Sequence, residues 1–181
     1  MQVLVILGNN FEELEAIAVI DILRRAKIKA VTASIDDELV VGSHGITIKA
    51  DAMIDNIDTD LFHAVYCPGG PGTPRLRSDS RVIRIVQNIY NSGGVAAAIC
   101  AAPTVLAAAG IMEGKKAAFF PGNDDLMSGA VLSDAPVEID GRIITGQAAG
   151  SAVTFGINFV KLLLGEETAE RLISSMFVHW M

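Results

Sequence analysis

Residues 95–110 read VAAAICAAPTVLAAAG, and the cysteine in the middle divides two different apolar halves. The first half, Val95 to Ile99, is short and follows Gly93-Gly94. A short apolar run after glycine reads as a buried strand. The second half opens with Pro103 and runs through alanine and leucine to Gly110. Proline near the start and glycine at the end frame a helix. Cys100 is therefore expected at a strand-to-helix junction. The uncharged run extends to Met112, long enough to raise a membrane span. Pro103 splits it, alanine dominates it and no basic flank anchors it, so the globular reading is preferred.

The same alternation runs along the chain. Val3 to Leu7, Ile28 to Ile35, Phe62 to Cys67 and Ala117 to Phe120 read as strands. Glu12 to Ala26, Asp79 to Asn91, Ser151 to Leu164 and Glu166 to Val178 read as helices. LVVGSHGITIKA, with Gly42 and Gly45 at its turn, and Val137 to Thr145, around Asp140-Gly141, read as hairpins. Strands alternating with helices predict an α/β fold, a mostly parallel sheet covered on both faces, in one domain over residues 1–181. A Rossmann dinucleotide fold is the competing architecture, but LGNNFEE lacks GxGxxG spacing and no GK[ST] loop occurs. Ala16 to Ile20 is apolar on every face of its helix, which predicts a second subunit over one side.

Composition narrows the function classes. The 181 residues are 51% hydrophobic and 19% charged, as in a globular chain. A net charge of −7, with no basic cluster longer than two residues, argues against nucleic acid. MQVLVILGNNF lacks a basic leader region, and two cysteines make no disulfide framework, so a cytoplasmic setting is expected.

In an open α/β sheet, ligands gather beyond the carboxyl ends of strands. Three ends stand out: Leu7 into Gly8, Tyr66 into Pro68-Gly69-Gly70, and Ile99 into Cys100. A cysteine on a tight strand-to-helix turn presents its sulfur outward, and a helix start favours its thiolate. The competing reading is a small buried residue, which suits Cys67 better because Pro68 follows it and no helix starts there. Gly69-Gly70 and Ala101 are candidate backbone donors for an oxyanion, although PGGPG is also ordinary turn sequence. Glu12 and Glu13 fit a simple complement to the helix dipole. Glu15 shares its face with Phe11, Ala18 and Ile22, and a carboxyl in such surroundings stays protonated and can hydrogen-bond a thiolate. His44, His63 and His179 do not follow strand ends, so a Cys-His-acid triad is poorly supported. Asp124-Asp125 has no histidine or cysteine nearby to make a metal site.

Taken together, VLVILGNNFEELEAI, ILRRAKIKA, AVYCPGG, AAICAAPTVLAAAGI and TGQAAGSAVTFGINFVKLLLG resemble the DJ-one/ThiJ/PfpI superfamily, most closely its DJ-one branch. The resemblance covers nearly the whole chain, in order. It implies a flavodoxin-like three-layer sandwich and a homodimer, here through the first helix. It implies a reactive, oxidation-sensitive cysteine at Cys100, a protonated glutamate at Glu15, backbone donors at Gly70 and Ala101, and a pocket with Gly69, Phe120 and Pro121. It implies no cofactor and no metal. The activities it implies are glyoxalase III or deglycase chemistry on small reactive 2-oxoaldehydes or their protein adducts, a redox-responsive stress sensor or chaperone, and, less well supported, a PfpI-type peptidase. Two departures stand out. Phe120-Pro121 replaces the His-Pro of many members, and His44 stands where some carry arginine.

Overall fold

The computed structural model describes residues 1–179. In chain order the strands are β1 (Gln2–Leu7), β2 (Lys29–Ser34), β3 (Leu39–Val41), β4 (Thr47–Lys49), β5 (Ala52–Met53), β6 (Ala64–Cys67), β7 (Val95–Ile99), β8 (Lys116–Ala118), β9 (Val131–Ser133), β10 (Val137–Asp140) and β11 (Ile143–Gly146). The helices are α1 (Glu13–Arg25), α2 (Thr73–Ser78), α3 (Ser80–Asn91), α4 (Pro103–Ala108), α5 (Ala152–Leu164) and α6 (Glu166–Ser175).

Seven strands form the main sheet in the order β10-β11-β7-β6-β1-β2-β5. All pairings are parallel except the β10-β11 hairpin at one edge. The predicted hairpin at Gly42-Gly45 is β3-β4, an antiparallel pair separate from the main sheet. Strand alternation divides the core into two layers. Val3, Val5, Leu7, Ala97 and Ile99 pack with residues of α1, α5 and α6. Leu4, Ile6, Ala96 and Ala98 pack with residues of α3 and α4. The chain is thus a three-layer α/β sandwich, as expected. β7 lacks polar side chains because it is central and covered on both faces, where an unpaired polar group is costly.

The first layer is anchored by Tyr66, Phe155 and Phe159, all fully buried, with ring centroids 5.4 to 6.2 Å apart. Full burial of each such side chain contributes roughly 1.5–3 kcal/mol. α5 explains much of the apolar wrap of α1: a Cβ on Gly156 would lie 2.7 Å from Ile22, so the two helices are in close contact. Ala16, Val19 and Ile20 are buried. Ile17, however, is 41% exposed and Leu14 62% exposed, leaving an apolar stripe on the outer side of α1.

The run from Val95 to Met112 divides into β7 and the six-residue α4, as Pro103 suggested. Among the described residues no helix is long and apolar enough to cross a membrane. Three short elements, α2, β5 and β9, have no clear signal in the sequence. α2 starts six residues after Cys67, in the segment expected to be only a loop.

Candidate active site

Cys100 follows β7 directly and holds a left-handed backbone, φ +63°. That conformation costs a residue with a Cβ about 1–2 kcal/mol, and neighbouring segments fix it from both sides. Its N–H donates to the Gly146 carbonyl at 2.9 Å, and its carbonyl accepts from the Phe120 N–H at 2.8 Å. The turn closes through Ala102 N–H to the Ile99 carbonyl, 3.0 Å, and α4 begins at Pro103. A sharp turn pinned in this way presents its side chain outward. Cys100 is half-buried, whereas Cys67, across the sheet, is fully buried.

Glu15 reaches the elbow from the first turn of α1 and is fully buried. Its Oε2 accepts the Gly69 N–H at 2.7 Å, and the Gly69 carbonyl in turn accepts the Glu12 N–H at 3.0 Å. The glycine loop and the helix start are therefore tied in both directions. The Glu12 carboxylate caps the helix by accepting the Glu15 N–H at 2.8 Å, and the Tyr66 hydroxyl donates to the Glu15 carbonyl at 2.9 Å. Glu15 Oε1 is the one buried side-chain oxygen or nitrogen among the described residues without a hydrogen-bond partner in standard geometry.

Gly69 lies beneath the elbow. A Cβ there would stand 2.7 Å from Cys100 Cβ, 2.8 Å from Glu15 Oε2 and 2.9 Å from the Ile99 carbonyl oxygen. Gly70 has φ +105°, which favours glycine, and its N–H and that of Ala101 both act on the sulfur. Phe120 and Pro121 are exposed beside the elbow. The structure thus brings Cys100, Glu15, Gly69, Gly70, Ala101 and Phe120 together, with Pro121 at the edge of the group.

Electrostatics differ from the sequence expectation. Burial raises the Glu15 carboxyl to about 7, against the lowering pull of Cys100 and the Gly69 N–H. Burial and the Glu15 carboxylate push the Cys100 thiol up to about 12, opposed by the Ala101 and Gly70 N–H groups. A favoured thiolate was expected from the helix start. α4 has only six residues, and desolvation outweighs it. The two groups face each other, so they titrate as a pair that holds one negative charge before it holds two. With the proton on Glu15, the carboxylate repulsion disappears and the two backbone donors favour charge on sulfur.

Two arrangements went unread in the sequence. Glu13 is buried, with side-chain exposure of only 6%, and it clamps the β3-β4 turn. Its carboxylate accepts from the His44 N–H at 2.6 Å, the Ser43 hydroxyl at 3.1 Å and the Ile46 N–H at 3.4 Å, and it meets His44 Nδ1 at 2.9 Å. This is no Ser-His-acid triad, because Ser43 Oγ and Glu13 both approach the same ring nitrogen, Nδ1. Asp36 accepts the Asn9 N–H at 2.8 Å and pairs with both terminal guanidinium nitrogens of Arg75, joining the loops after β1 and β2 to α2. Both signals are long-range, and the sequence offers no local pattern for either. A cleft of about 400 Å³ lined in part by Thr59, His63 and Gly94 opens at the amino ends of β6 and β7, the end of the sheet opposite Cys100.

Known proteins resemble this arrangement along the whole chain. Protein DJ-1 homolog B of Arabidopsis thaliana is 34% identical over 93% of this chain, which spans 39% of that longer protein. A deglycase of Pyrococcus abyssi is 30% identical over 90% of this chain and 99% of its own length. The solved structure of oxidized Toxoplasma gondii DJ-1 superposes with a TM-score of 0.93 at 30% identity, covering 99% of both chains. The DJ-1/PfpI family profile matches residues 1–162, and with the sandwich and its pinned elbow in place, the chain belongs to the DJ-1/PfpI family.

Proposed function

We propose that this chain is a cofactor-independent thiol catalyst acting on 2-oxoaldehydes or their adducts, of the glyoxalase III or deglycase type. The observation that carries the reading is the pairing of the pinned Cys100 with a buried Glu15 whose Oε1 has no other partner. The deglycase names of archaeal relatives support the same class of chemistry.

For methylglyoxal the steps balance with water as the only co-reactant. The Glu15 carboxylate takes the Cys100 thiol proton as the sulfur attacks the aldehyde carbon. The new alkoxide lies toward the N–H groups of Gly70 and Ala101 and takes the Glu15 proton, giving a hemithioacetal. The Glu15 carboxylate then removes the proton on that carbon, the electrons move onto the ketone oxygen, and that oxygen takes the hydroxyl proton of the neighbouring carbon, giving an enediolate. Glu15 returns its proton to the second carbon while the oxygen on the first carbon re-forms a carbonyl, which leaves a lactoyl thioester on Cys100. Water hydrolyses the thioester, releasing lactate and regenerating the thiol. One carboxyl of pKa about 7 serves as both base and acid.

Enantiopure lactate formed over many turnovers, abolished in Cys100→Ser, is the expected result. Stoichiometric consumption of aldehyde would overturn catalysis. It would favour a redox sensor, a reading supported by the half-exposed Cys100 beside a fully buried Cys67. In either case a few equivalents of peroxide should oxidise Cys100 before Cys67, as read by peptide mass spectrometry. The exposed stripe of Leu14 and Ile17 further supports a homodimer through α1, which light scattering at micromolar concentration tests.

A further inference from the structure

We infer that Phe120 is a specificity-determining residue, and that it directs the site toward neutral 2-oxoaldehydes bearing an aryl group. The inference rests on the proposed function for its reaction and on separate geometry for its selectivity. Phe120 is fixed on both sides. Its N–H donates to the Cys100 carbonyl at 2.8 Å, and its carbonyl accepts from Asn123 Nδ2 at 3.1 Å. Just upstream, the Ala118 N–H donates to buried Thr145 Oγ1 at 2.9 Å, and Phe119 packs into the α3-α4 layer of the core. With Phe119 turned inward, Phe120 is left outward and 48% exposed beside the elbow. The segment does not have to be ordered when a substrate arrives, so little entropy opposes contact with its ring.

The charges around the sulfur point the same way. The groups that favour an anion there are the backbone N–H groups of Ala101 and Gly70. The nearest carboxyl, Glu15, repels a second negative charge. A substrate carboxylate or phosphate meets the negative charge of Glu15, whereas a neutral aryl tail can pack on the exposed Phe120 ring.

The test compares phenylglyoxal with methylglyoxal as ratios of kcat/KM in the full chain. It also compares phenacyl bromide with bromoacetone as alkylating agents of Cys100, scored by peptide mass spectrometry. In alkylation the sulfur displaces bromide from the CH2 carbon and the thiol proton passes to water, so this arm reads the site without turnover. Each ratio is referenced to a small thiol or to the variant. Phe120→Ala should lower the aryl-to-alkyl ratio about tenfold in both arms, chiefly through KM in the first, and Phe120→Tyr should retain it. Ratios within twofold of wild type in Phe120→Ala would overturn the inference, whatever the absolute rates. If neither aldehyde turns over but the alkylation ratio still falls tenfold, Phe120 selectivity stands and the proposed catalysis fails.

Discussion

Two glutamates, Glu13 and Glu15, stand one residue apart on the first turn of α1, and both are buried. Their carboxyls nevertheless move in opposite directions. Glu13 is held down to about 2, because the donors of the β3-β4 turn offset its desolvation. Glu15 is raised to about 7, because deep burial disfavours its charge and the pull of Cys100 and one backbone N–H, from Gly69, offsets only part of that. The balance of desolvation against donors therefore decides each role: Glu13 sets several donors against shallow burial, Glu15 few against deep burial. A fully bonded carboxylate is a fastener. A carboxyl with one free oxygen beside a thiol can take up and release a proton.

The largest test of this contrast is Glu15→Gln, which keeps the shape and an acceptor for the Gly69 N–H but cannot shuttle a proton. Turnover should fall by a factor of roughly 10² to 10⁴, with the melting temperature unchanged or raised, since a costly buried acid has been removed. Steady-state kinetics and calorimetry on one sample check both. Undiminished turnover would place Glu15 with Glu13, as structure only. Next is Gly69→Ala. The added methyl would press on Cys100 Cβ, Glu15 Oε2 and the Ile99 carbonyl together, at a cost of about 3 kcal/mol. Urea midpoints should fall and activity with them. A stable and active Gly69→Ala would mean that the elbow and Glu15 are less closely joined than the contrast requires.

How much of this was legible follows the range of each signal. β7, the Cys100 junction and the apolar face of Glu15 are local, written in period and punctuation within a dozen residues, and they appear where the sequence puts them. Glu13 reads locally as a helix-dipole complement. Its actual partners, Ser43, His44 and Ile46, lie some thirty residues away on a hairpin whose docking no local pattern specifies. The same holds for Tyr66, whose hydroxyl finds Glu15 across 51 positions. The thiol's state was misread for a related reason. A helix start is visible in sequence, but the desolvation that outweighs it comes from packing.

The pH dependence of stability sharpens the contrast further. Glu15 has a folded value of about 7, above its ordinary 4.5, so the fold favours its protonated form. That contribution is fully present below pH 4.5 and is lost as pH rises to about 7, a loss of about 2–3 kcal/mol. Relative to Glu15→Gln, wild type should therefore lose stability across this window in urea denaturation at fixed ionic strength. A flat difference would show that Glu15 is not the raised group.

Glu13 gives the smallest effect and the opposite sign. Its folded value of about 2 lies below the ordinary 4.5, so its contribution is present above pH 4.5 and is lost as pH falls toward 2. Glu13→Gln should cost about 1–2 kcal/mol at neutral pH, because the amide accepts fewer of the turn's hydrogen bonds and its NH2 faces donors. The cost is modest because the His44 side chain is 73% exposed and water can replace part of what is lost. The difference between wild type and Glu13→Gln should shrink as pH falls from 4.5 toward 2, while kcat at neutral pH changes far less than in Glu15→Gln. If Glu13→Gln removed turnover as thoroughly as Glu15→Gln, the clamp on the hairpin would be part of the chemistry, and the balance of desolvation against donors would no longer separate the two carboxyls.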